Sequence, residues 1–165
     1  MKKSRVVILQ IAFILLVSTQ TYAQICYTCP GNNNTVTGTA ASAFGNNNFV
    51  SGAYSNALGS GNRITSNYSF IAGNFDTIQS FHSYVIGSSS KVGIASTESY
   101  VIGTGSVAGN TKVMMIGHRL QSGAGSQIIL GSGPIGGGYL SSNKMYSLAV
   151  GFKSTVPTFF VGESP

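Results

Sequence analysis

The chain has 165 residues, 22 of them glycine, with nine basic and three acidic residues for a formal net charge of +6. That length suits one domain, and the scattered cations, with no run and no basic helix, exclude the electrostatic footprint of a nucleic-acid binder. High glycine without a collagen triplet also marks disordered chains, but 42% of the residues are hydrophobic and they recur at regular positions, so the composition points to an ordered fold.

The first element is a leader. Lys2, Lys3 and Arg5 precede an apolar run from Val6 to Val17, and Thr21-Tyr22-Ala23 supplies a small-residue cleavage site. This is the layout of a secretory signal peptide over residues 1–23, and the run is shorter than the roughly 20 residues of a membrane-spanning helix. The remainder, 24–165, is read as a single β-roll domain. It keeps Arg63, Lys91, Lys112, Arg119, Lys144 and Lys153 against Asp76, Glu98 and Glu163, six minus three, a net charge of +3.

Cys26 and Cys29 follow the cleavage site as a C-x-x-C pair. A redox motif needs a βαβ setting and a zinc site needs two further ligands, and neither is in the pattern. The two cysteines are read as a possible disulfide, within or between subunits, or as two thiols buried in the first coil.

Beyond the cysteines a four-residue phrase ending in glycine returns: SAFG, NALG, FIAG, YVIG, YVIG, MMIG, IILG. Its glycines are Gly45, Gly59, Gly73, Gly87, Gly103, Gly117 and Gly131, at steps of 14, 14, 14, 16, 14 and 14. A backward step reaches Gly31, and longer and shorter forward steps reach Gly151 in LAVG and Gly162 in FFVG. A fixed period of this length is the signature of a β-solenoid, each repeat being one coil. Roughly nine coils, at about 4.8 Å per strand, would make a stack of about 40–45 Å.

Each coil reads as two strands and two corners. In the phrase, the residues one and two places before the glycine are both apolar, and successive side chains on a strand point to opposite faces. The phrase strand is therefore apolar on both faces. The second strand centres on Val36, Val50, Ile64, Ile78, Val92 and, later, Val156, with polar residues on at least one side of each, such as Thr35 and Thr37, Arg63 and Thr65, and Thr77 and Gln79, which is the pattern of one wet face. Asn32 to Asn34, Asn46 to Asn48, Ser60-Gly61-Asn62, Asn74-Phe75-Asp76 and Ser88 to Ser90 fall between strands, where asparagine and glycine accept the left-handed backbone of a sharp corner.

A narrow roll buries one face of each strand, so the second apolar face needs a partner. A closed ring of copies supplies it without open ends, and a homotrimer is the expected assembly. Ala43, Ala57, Ile71, Val85, Val101, Met115 and Ile129 are assigned to the trimer interface, and the residues that follow them to the interior of the roll.

The phrases SNYSFIAG (Ser66 to Gly73), ESYVIG (Glu98 to Gly103) and MYSLAVGFKS (Met145 to Ser154) resemble the head repeats of trimeric autotransporter adhesins. The resemblance covers about Asn32 to Gly162. It implies an all-β, left-handed parallel β-roll of ~14-residue coils that trimerises, exported to the cell surface or beyond, and binding a surface or matrix ligand. The chain departs from the family after Gly162, where no heptad stalk and no run of membrane strands follows. A separate anchoring chain, or a truncated or minimal member of the family, is expected, with membrane contact only through such an anchor. Similar rolls occur in tail-fibre-like proteins.

The remaining motifs read as structure. Gly131 to Gly136 matches a dinucleotide fingerprint formally, but that mechanism needs a following helix; a protruding loop from Ser132 to Lys144 is expected instead. His82 and His118 are placed at a strand entry and a corner. Asp76, Glu98 and Glu163 make no carboxylate pair, and no metal or cofactor is expected. Tyr68, Tyr84, Tyr100, Phe70 and Phe81 are read as stacked rungs. Asn33-Asn34-Thr35 and Asn67-Tyr68-Ser69 match the glycosylation sequon where the repeat wants polar corners. The function expected is attachment by a non-enzymatic binding module. The alternatives are a carbohydrate-active or ice-binding solenoid, or a fragment of a larger secreted protein.

Overall fold

The computed structural model describes residues 33–162; the leader expected over 1–23 and the pair Cys26 and Cys29 lie outside the described residues. Those residues form an all-β parallel solenoid with no helix among them. Short strands, from Thr35–Val36 to Leu140–Ser142, stack into an eight-stranded sheet. Phrase strands, from Ser42–Asn46 to Ser147–Gly151, stack into the second sheet. Equivalent residues of successive coils face each other, Val85 with Ile71 and Val101, Gly103 with Gly87 and Gly117.

The core lies between the two sheets. Val50, Ile64, Ile78 and Val92 project inward from the short strands, as their polar flanks predicted, and all are fully buried. They meet Ala57, Ile71, Val85 and Val101 of the phrase strands, also buried. This overturns the interface assignment made from the pattern. Ala43, Ala57, Ile71, Val85, Val101, Met115 and Ile129 all sit in the roll interior at 0–1% exposure, and the residues after them point out. The parity is set by the buried serines two places further back, Ser55, Ser69, Ser83 and Ser99, which share the inward face with them.

Those serines are buried because they tie one coil to the next. The Ser69 N–H donates to Ser55 Oγ at 3.0 Å, and Ser55 Oγ donates to the carbonyl of Ser66 at 2.8 Å. An asparagine column does the same at the other corner. Asn48 and Asn62 each accept the N–H of the residue one coil on, Asn62 and Asp76, at 3.1 Å through Oδ1. Their amide groups donate to the Gly59 and Gly73 carbonyls at 2.9 and 2.7 Å. A hydrogen bond is unmade only at high cost once its groups are buried, so these polar columns are as necessary to the stack as the apolar ones.

The phrase-closing glycines are required by the stacking itself. A Cβ at Gly103 would run into the Gly117 carbonyl, and the backbone there has φ of 144°, a region open almost only to glycine. The same clash with the next glycine's carbonyl recurs from Gly45 to Gly131.

Two departures from strict repetition change the outline. The segment 133–139 bulges between the strands Gln127–Ser132 and Leu140–Ser142, and the Arg119 guanidinium donates to the Pro134 carbonyl at 3.3 Å across its base. The expected loop is thus shorter than Ser132 to Lys144, since Leu140 already pairs with Leu120. At the other departure the FFVG phrase does not make a coil. Phe159–Val161 turns back and pairs antiparallel with Ser147–Gly151, and Val156, expected to point inward, is 64% exposed.

The glycine column yields a direct prediction. Gly103→Ala should cost more than about 3 kcal/mol, in the tail of single-substitution effects. Gly109→Ala, whose added Cβ meets nothing nearer than 3.8 Å, should stay within about 1 kcal/mol of the parent. Thermal unfolding followed by circular dichroism distinguishes the two.

Candidate functional site

Among the described residues, the outward face of the phrase-strand sheet carries a long run of exposed apolar side chains. The residue just before each glycine points into water: Leu58, Ile86, Ile102 and Ile116 are 38–52% exposed. Two places earlier on the same face, Tyr84, Tyr100, Met114 and Ile128 are exposed as well. Together they form two parallel columns, the second of them polar at Ser42 and Asn56 in the first two coils, and no Asp, Glu, Lys or Arg occupies an outward position on the phrase strands from Ser42–Asn46 to Ser147–Gly151. The terminal strand extends the strip, with Phe159 and Val161 paired to Val150 and Leu148 and both exposed.

Eight strands at about 4.8 Å give the strip a length of roughly 34 Å. Two outward residues per strand, about 7 Å apart, make its area on the order of a few hundred Å² before side chains are counted. A monomer rarely leaves a contiguous apolar patch of that size in water. Polar residues border it: Ser60, Asn74, Ser88 and Thr104 follow the glycines along one side.

The other border is a corner column that the sequence did not reveal. Tyr54, Tyr68, His82, Glu98 and Lys112 all hold φ between 51° and 57°, a left-handed conformation that side chains bigger than asparagine seldom take. Each is held by its own N–H, which donates to a carbonyl of the preceding coil, Tyr68 to Ala53 at 2.9 Å and Lys112 to Thr97 at 2.9 Å, and at the first three positions ring stacking adds to this. The rings of Tyr54 and Tyr68 stack at 5.2 Å, and those of Tyr68 and His82 at 5.1 Å. On the strip itself Tyr84 stacks on Tyr100 at 5.1 Å and 2°. Of the expected rungs Tyr68, Tyr84, Tyr100, Phe70 and Phe81, only Tyr84 and Tyr100 stack on each other; Tyr68 belongs to the corner and stacks with Tyr54 and His82, and neither Phe70 nor Phe81 joins a ring stack among the described residues. Tyr54, Tyr68 and Tyr84, with Asn56, Ser69 and Phe70, line a cleft of 180 Å³.

The remaining candidates do not converge. His82 is exposed at the corner, and His118 is exposed at the end of the strand Val113–His118. Gly131 to Gly136 runs from a strand into the bulge, with no helix to meet a phosphate. Asn67, the second sequon asparagine, uses Oδ1 to accept the Ala53 N–H at 2.8 Å. Among the described residues there is no cluster of three metal-ligating side chains. Near the carboxyl end Gln121, Asn143, Lys144, Val156 and Phe160 line an open groove of 630 Å³. No protein-family model, curated protein or solved structure matches this chain.

The face assignment predicts opposite fates for adjacent residues. Val85→Asp places a charge in the core, which costs several kcal/mol, and should abolish the β-sheet circular dichroism. Ile86→Asp places the charge outside the roll and should leave that spectrum unchanged.

Proposed function

We propose that the chain is an exported, non-enzymatic attachment module of the adhesin-head type, built as a homotrimer that joins through the outward face of the phrase-strand sheet. The observation that carries this reading is the uncharged apolar strip, repeated coil by coil on a rigid solenoid. An isolated solenoid gains nothing from isoleucine at that position in water, whereas copies packed strip to strip remove it from solvent at roughly 25 cal/mol per Å². The likeness of SNYSFIAG, ESYVIG and MYSLAVGFKS to autotransporter head repeats supports three copies and a left-handed roll.

With the strips packed together, the short-strand sheet, the bulge at 133–139 and the corners remain at the periphery. Arg63 over the Phe49 ring at 4.6 Å and Lys91 lie on that outer sheet and are exposed or partly so. A surface or matrix ligand binds on this periphery, where loops on a rigid scaffold carry recognition.

Sedimentation equilibrium of the purified protein tests the assembly. The parent should have three times the chain mass, and Ile102→Asp should fall to one chain mass with its spectrum retained. A parent that stays at one chain mass at micromolar concentration removes the basis for the reading. Binding to immobilised matrix proteins and glycans tests attachment separately; the trimer should bind more tightly than the Ile102→Asp chain through avidity.

A further inference from the structure

In the asparagine column one position carries an acid. Asp76 follows Asn34, Asn48 and Asn62 at the coil spacing, and it repeats half of their bonding: its Oδ1 accepts the Ser90 N–H at 2.7 Å. The other half is missing. The asparagines use Nδ2 to donate to two carbonyls, as Asn48 does to Phe44 and Gly59 at 3.2 and 2.9 Å. The equivalent carbonyls around Asp76 belong to Ala72 and Gly87, and Asp76 Oδ2, fully buried, has no hydrogen-bond partner. An ionised oxygen there would face carbonyl lone pairs, and a protonated one has an acceptor waiting.

We propose that Asp76 stands in this column as a neutral acid, its Oδ2–H donating to the Gly87 carbonyl, and that its ionisation loosens the middle coils. The solenoid thus carries a pH-sensitive latch. Loss of water on burial drives the effect and raises the group from 3.8 to about 6; the Ser90 amide opposes it, and the Asn74 amide does so without bonding to Oδ2. No charge compensates the carboxylate. Arg63 and Lys91, on the short strands to either side, are exposed, and Arg63 lies over Phe49. The facing strands Phe70–Asn74 and Tyr84–Ser88 carry only Tyr84, which points outward, and Thr77–Ile78 carries no titratable group.

The sign follows from linkage. Because the folded-state value lies above the unfolded one, the stabilising contribution is complete below about pH 4 and is lost as pH rises through about 6. A gap of about two units corresponds to roughly 100-fold in the folding equilibrium constant.

The test is denaturant unfolding of the full chain and of Asp76→Asn from pH 4 to pH 8. Asparagine restores the donor permanently. The variant should match the parent near pH 4 and exceed it at pH 8, by up to about 100-fold in the folding constant. Only the difference between the two chains is read. A variant no more stable than the parent at pH 8, or an equal pH slope in both, overturns the proposal. Difference infrared spectroscopy gives a second readout: a protonated-carboxyl band present at pH 5, lost by pH 8, and absent from Asp76→Asn. Absence of that band from the parent at pH 5 overturns it too.

Discussion

The closing glycine of each coil lies so near the carbonyl of the glycine in the next coil that no side chain fits between them. Everything else in the molecule is arranged around that approach. It sets the spacing of the phrase strands, and it keeps successive coils in register, glycine on glycine from Gly45 to Gly151. Once the register is fixed, each side chain meets its own counterpart one coil away. Ladders of like residues follow: isoleucine and valine inside, serine and asparagine at the corners, tyrosine at the rim.

The ladders explain how so thin a body holds together. A coil of about 14 residues has room inside for only a few apolar side chains, so its corners cannot be sealed by hydrophobic packing. Ser55, Ser69, Asn48 and Asn62 seal them instead, by bonding the backbone of the adjoining coil. These four buried side chains are tolerable because each is paired. Asp76 is the member of the column that breaks the pairing, and a proton repairs it. Insertions are confined to places where the ladders can be bridged. The extra residues before Gly103 carry Ile94 outward at 77% exposure, and those after Gly131 form the bulge containing Ile135 at 82%.

The period, the two strands per coil and the corner positions were legible in the sequence, because glycine and apolar spacing report directly on backbone geometry. Which apolar face is inside was not. Ala43 to Ile129 and Phe44 to Leu130 are equally apolar, and the deciding residues are the serines, whose polarity suggests water although they are buried. Reading Ser55 and Ser69 as backbone partners rather than surface residues would have settled the parity. The left-handed corner at Tyr54, Tyr68 and His82 was hidden for a related reason. Backbone hydrogen bonds between coils, with ring stacking added at Tyr54, Tyr68 and His82, offset a local backbone penalty of about 1–3 kcal/mol, and no short-range propensity reports such contacts. The FFVG phrase misled because a strand turned antiparallel uses the same apolar residues as one more coil.

In the proposed trimer the phrase-strand sheet is the face that meets other copies. Nitroxide labels at Thr104, beside the strip, and at Lys91, on the opposite sheet, report this directly through dipolar distances between chains. Assembly through the strip predicts a short, well-defined distance between Thr104 labels and a longer one between Lys91 labels. A shorter distance between Lys91 labels, or no coupling between chains at either site, would contradict it.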